Sequence, residues 1–117
     1  MARSALTFIV VAEDGTSHEH HTRLRAGTVD ELLRRAVGGR LKPIPIGIPD
    51  LYAWCDEASP STGRRPNPVA SLLIARLGGG RPPLVGPVIV TGRHGTTAIS
   101  LTADQVDAVL AALTGCR

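Results

Sequence analysis

The run Leu84-Val85-Gly86-Pro87-Val88-Ile89-Val90-Thr91 constrains this chain more than any other segment. It is almost unbroken in apolar character, so no alternation leaves a face for water, and it predicts a central strand buried on both faces. Gly86-Pro87 predicts a bulge or bend at its start. A chain of 117 residues is expected to build one domain, residues 1–117, around such a strand. That length buries roughly two-thirds of the unfolded surface without staples. Phe8, Tyr52 and Trp54 are the only aromatic residues, so the core must come from Val, Ile, Leu and Ala.

The remaining segments supply partners for that strand. Ala5 to Ala12 reads as a strand, and Glu13-Asp14-Gly15-Thr16 as a hairpin turn, because Asp-Gly tolerates positive φ. The return segment, Ser17 to Leu24, is nearly all polar and predicts a solvated edge strand. Thr28 is placed to cap a helix, with Glu31 completing a capping box and Gly38-Gly39 ending it. Val29, Leu32, Leu33, Ala36 and Val37 form its apolar face. Leu41 to Ile48, with Pro43 and Pro45, predicts an edge strand or extended arm.

Asp50 to Glu57 predicts a strand with Leu51, Ala53 and Cys55 on one side and Tyr52, Trp54 and Asp56 on the other. Ala58 to Pro68 is a Pro- and Arg-bearing surface loop. Asn67 then caps a helix with Pro68 at its first position, and Val69, Leu72, Leu73 and Leu77 are its expected core face. Gly92 to Gly95 turns the chain so that Thr97 to Leu101 pairs back. Thr102 and Gln105 form a capping box for a last helix, whose core face is Val106, Val109, Leu110 and Leu113. The expected class is α+β: a mostly antiparallel mixed sheet of about five or six strands with three helices packed against it.

The net charge is +3, which would suit an anionic partner. Lys42 is the only lysine, however, and no basic cluster exceeds the pairs Arg34-Arg35 and Arg64-Arg65. Together with abundant Ala, Gly and Pro, this arginine bias reads more simply as the composition of a GC-rich genome. The opening apolar run is strand-length and followed by charge, and nothing approaches a membrane span. The expectation is a cytoplasmic protein with reduced Cys55 and Cys116 and no membrane partner.

Catalytic signatures are missing. Gly78-Gly79-Gly80-Arg81 follows a predicted helix, where glycines are a stop signal, whereas a phosphate loop precedes a helix. Asp56 and Glu57 are adjacent, so they point to opposite faces of a strand and cannot act as the paired carboxylates of a glycosidase unless the strand ends between them. His18 and His20 share a strand face, yet a zinc site needs three or four ligands and His94 is the only other histidine beyond His21. No metal and no cofactor is therefore expected, and no motif supports enzyme activity. Tyr52 and Trp54 could form a small base-stacking platform, but covering the core beneath the loop is the stronger reading for them.

One set of residues carries a resemblance. Trp54-x-Asp56-Glu57, Asn67-Pro68-Val69-Ala70, Val85-Gly86-Pro87-Val88-Ile89-Val90-Thr91-Gly92 and Leu101-Thr102 before a final helix resemble a family of small domains of unknown function found in actinobacteria, phages and plasmids. The helix ending Val37-Gly38-Gly39 fits its beginning, so the resemblance covers most of the chain from about Thr28 onward. The resemblance brings no catalytic residues, and implies an accessory role, such as modulating host defence or replication.

The functional expectation is thus a non-enzymatic accessory binding module that captures a small anionic ligand such as a nucleotide, or a host protein. Its alternative is a weak nucleic-acid-binding regulator. The expected ligand-binding residues are Trp54, Asp56, Glu57, Arg64, Arg65 and Asn67, gathered around one loop, with Arg81 and Arg93 as further loop arginines. Self-association into a homo-oligomer is expected to be one way of managing the polar edge strand and the Pro-rich one.

Overall fold

The structure, a computed structural model, describes residues 5–23, 29–44, 46–57, 63–80 and 84–116. The expected Thr28 cap, residues 58–62 of the Pro/Arg loop and Arg81 lie outside the described residues. Among the described residues the elements are β1 (Ala5–Val11), β2 (Ser17–Arg23), α1 (Val29–Val37), β3 (Leu41–Ile44), β4 (Leu51–Asp56), α2 (Pro68–Arg76), β5 (Val88–His94), β6 (Thr97–Ile99) and α3 (Ala103–Thr114). The class is α+β, as the residue patterns predict, and the described strands pair only antiparallel, so the expected mixed sheet is an antiparallel one.

β5 is the central strand, with Val88, Ile89 and Val90 all at 0% exposure. β4 lies along one side of it. β1 and β6 share the other side end to end, β1 opposite Val88 to Val90 and β6 opposite Gly92 to His94. The order β2-β1-β5-β4-β3 leaves β2 and β3 at the edges. The strand is shorter than the apolar run. Gly86 takes a φ of 75°, a left-handed conformation that a side chain would strain, and Val85 forms an isolated bridge to Pro66 before β5 begins.

Side-chain alternation divides the core into two layers. Ile9 and Val11 of β1, Leu51, Ala53 and Cys55 of β4, and Val88 and Val90 of β5 pack with α2 and α3. Leu6, Phe8, Trp54 and Ile89 face the other way and pack with Leu33 and Val37 of α1. Helices therefore cover both faces, which is why β5 can be apolar on both. Two expected core positions point outward instead: Leu72 is 46% and Leu110 36% exposed. Ala70 and Ile74 take the buried positions on α2.

Local chemistry sets the ends of these elements. At the first hairpin Asp14 Oδ1 accepts from the Thr16 hydroxyl at 2.6 Å and from the Thr16 amide at 2.9 Å. Those two bonds hold the Asp14 carboxyl below the usual carboxylate range. Thr102 caps α3 by accepting from the Gln105 amide, while Gln105 Oε1 accepts from the Thr102 amide at 2.9 Å.

Candidate functional site

The six expected binding residues are dispersed by the fold into three settings. Trp54 and Asp56 extend from the α1 face of β4, and both are buried, at 9% and 3% exposure. The Trp54 indole N–H donates to Thr91 Oγ1 at 3.1 Å, and the ring lies 4.3 Å from that of Tyr52. Arg93 covers the Tyr52 ring at 4.7 Å. These rings belong to the α1 layer, and the indole's only polar atom is already bonded.

Asp56 and Arg64 are brought together. Arg64 Nη2 lies 3.2 Å from Asp56 Oδ2, and the same guanidinium donates to the carbonyls of Val37 at 2.8 Å and Gly38 at 3.0 Å. It thus satisfies carbonyls at the C-terminus of α1, where the helix dipole favours a cation. Gly39 is needed beside this pair, because a Cβ there would overlap the Asp56 carboxyl group. Glu57 is exposed and donates its amide to Arg40 O at 2.8 Å. Arg65 is exposed, with its backbone fixed by Glu13 Oε2 at 3.0 Å and by the Gly86 amide at 2.9 Å.

Asn67 sits apart from that pair at 0% exposure. Its Oδ1 accepts from the Ala70 amide at 3.1 Å, and its Nδ2 donates to Val11 O at 3.0 Å and Gly86 O at 2.9 Å. Both amide protons and the carbonyl are therefore engaged. Ser71 reinforces the junction, accepting from the Leu84 amide at 3.1 Å and donating to Asn67 O at 3.0 Å. The side chain fastens α2 to the end of β1 and to the bend before β5.

A second candidate lies where the residue pattern gave little warning. A groove of about 310 Å³ runs between α3 and the face of β1 and β2 that α3 leaves open. Leu101, Ala103, Val106 and Leu110 supply its apolar lining, and Thr7, Glu19, His21 and Asp107 its polar lining. His21 Nε2 lies 2.6 Å from Glu19 Oε2, and His21 Nδ1 lies 3.0 Å from Thr7 Oγ1. In the neutral ring the carboxylate holds the proton on Nε2, so Nδ1 accepts from the Thr7 hydroxyl.

Hydroxyl, imidazole and carboxylate stand in the order used by hydroxyl nucleophiles. The His21 side chain is nevertheless 64% exposed, so water competes for every bond in the chain. A preorganised catalytic site encloses such groups away from water, which this groove does not do at His21. The visible signal was the cluster His18-His20-His21, but only the strand register separates its members. His20 stacks on Phe8 at 4.9 Å on the opposite face, with His18 edge-on to it at 6.4 Å. Among the described residues no group of three or more His, Cys, Asp or Glu side chains is placed to hold a metal ion. No described helix is long and apolar enough to cross a membrane.

The chain belongs to a family described as Domain of unknown function (DUF3846), whose model matches residues 6–114. The match takes in the β1–β2 hairpin as well as the part from Thr28 onward. No curated protein and no solved structure matches the chain.

Proposed function

We propose that this DUF3846 domain is a non-enzymatic accessory binding module that captures a host protein in the groove between β2 and α3. The observation that carries this reading is the groove's composition: an apolar lining of Leu101, Val106 and Leu110 beside the carboxylates of Glu19 and Asp107. Its volume of about 310 Å³ is at the lower end of ligand pockets and suits one or two side chains of a partner. An apolar residue next to an arginine or lysine complements it, since the stem can lie on Leu110 while the cation meets Asp107. The setting we infer is cytoplasmic, in actinobacteria and their phages and plasmids, with a role in host defence or replication.

Titration with acetyl-Leu-Arg-amide, followed by amide chemical shifts, tests the reading. Shifts at Thr7, Glu19 to His21 and Ala103 to Leu110 are expected, weakened in E19Q and D107N and much smaller with acetyl-Leu-Glu-amide. Equal responses to both peptides, or none, would sink it.

A second reading keeps a small anionic ligand or a nucleic acid at the Arg64–Arg65 loop. The exposed Arg65, on a backbone anchored from both sides, favours it. Stabilisation by nucleotides that vanishes in high salt would support the ligand version, and mobility shifts at low salt the nucleic-acid version.

A further inference from the structure

The two sheet edges are built differently. β3 carries Lys42 and Pro43, devices that discourage further strand pairing. β2 carries neither. It is seven residues long, pairs with β1 in unbroken register from Val11↔Ser17 to Ala5↔Arg23, and is exposed along most of its length. Among the described residues no strand pairs with its outer edge.

The phase of the ladder tells which groups lie on that edge. Ala12 N–H donates to Thr16 O across the turn, and Leu101 N–H donates to Thr7 O from the β6 side. Thr7 and its alternate neighbours therefore turn their backbone groups away from β2, while Phe8 and Val10 bond to His20 and His18. It follows that the amides and carbonyls of Glu19, His21 and Arg23 point outward from β2.

We infer that β2 pairs antiparallel with β2 of a second copy of this chain, about a two-fold axis at His20, joining the two sheets into one. Three observations favour that occupant and register. The axis at His20 sets outward amides against outward carbonyls over all seven residues. It places Glu19 opposite His21 of the other copy and Ser17 opposite Arg23, so neither Glu19 nor Arg23 faces its own sign, and only the His20 pair on the axis sets like side chains together. An axis at Glu19 would oppose two carboxylates, and one at His21 would pair only residues 19–23. A two-fold contact is also the closed form of assembly, leaving no edge on β2 for further growth. The contact uses the backbone edge of β2 and not the groove, so a failed peptide titration leaves it standing, and a monomeric chain leaves the groove reading standing.

The axis makes a sharp cross-linking prediction. His20 would face its own counterpart in a non-hydrogen-bonded pair, with Cα atoms about 4.5 Å apart, inside the range a disulfide spans. Under mild oxidation H20C is expected to form a cross-linked dimer. H18C is expected to stay monomeric under denaturing conditions, because its counterpart lies four residues along, roughly 13 Å away. The native thiols Cys55 and Cys116 are buried and do not compete. Sedimentation of the wild-type chain should give twice 12.3 kDa. H21P, which removes an outward amide and spares the ladder to β1, should return it to the monomer with unchanged circular dichroism. A wild-type monomer at every soluble concentration overturns the proposal. So does a dimer that H20C fails to cross-link, or cross-links no better than H18C.

Discussion

Trp54 on β4 and Thr91 on β5 are joined across the sheet: the indole N–H donates to Thr91 Oγ1 at 3.1 Å, and that hydroxyl donates onward to Gly92 O at 2.9 Å. Thr91 is the buried polar residue of the central strand, following the apolar Val88 to Val90, and at 0% exposure it is there as the partner of the indole. T91V keeps the shape and removes the acceptor. A buried indole N–H left unpaired costs about 1–3 kcal/mol. Trp54 is the only tryptophan, so its emission reports unfolding directly. The unfolding free energy of T91V should fall by that amount, seen as a lower urea midpoint at an unchanged slope, and an unchanged midpoint would show the bond to be energetically idle.

Asn67 holds a heavier junction. N67A loses the cap of α2 and strands the carbonyls of Val11 and Gly86, which its Nδ2 satisfies. Cap loss and two unpaired acceptors together should cost about 3 kcal/mol. N67D separates the contributions, since it retains the acceptor for Ala70 but turns a carboxylate toward two carbonyl oxygens. N67D is therefore expected to be at least as destabilised as N67A in urea titrations. A loss confined to the cap, near 1 kcal/mol, would mean that the two carbonyls find water.

The same residues show what a sequence reveals and what it hides. Asn67-Pro68 and Thr102-x-x-Gln105 are legible because a cap is made within four residues, and both cap as read. The alternation of Leu51 to Asp56 is legible because period two assigns faces without knowledge of neighbours. Which helix covers which face is not, since β5 is apolar on both sides and accepts either. The Asp56–Arg64 pair could be suspected from one loop, but the Arg64 bonds to Val37 and Gly38 depend on where α1 ends in space. The Thr7–His21–Glu19 chain depends on the β1–β2 register, which pairs Thr7 with His21. Composition alone shows only four histidines.

Arg64 is expected to matter for stability before it matters for any ligand. Its removal leaves a carboxylate at 3% exposure without its guanidinium and frees two carbonyls at the end of α1. Breaking one side of a buried pair costs on the order of 3 kcal/mol. R64A should therefore lower the urea midpoint strongly, R64K partially, and R64A/D56N less than R64A alone. Equal losses in R64A and R64A/D56N would place the cost in the helix carbonyls and not in the ion pair.

Cys55 carries a pH dependence of defined sign. Burial raises its thiol pKa above the ordinary value; Lys42 opposes that rise and Asp56 adds to it. The unfolded thiol then ionises at lower pH than the folded one. Between those two values the unfolded state has lost a proton that the folded state keeps, so stability falls as pH rises through that window. Below the ordinary thiol range this contribution is constant. In native C116A, where Cys55 is the remaining thiol, alkylation by iodoacetamide at mildly alkaline pH should run far slower than in urea-unfolded protein, because little thiolate is present and the sulfur is enclosed. A C116A/C55A variant should lose the alkaline part of the stability decline. If the native and unfolded rates coincide, Cys55 is neither enclosed nor held neutral by the fold.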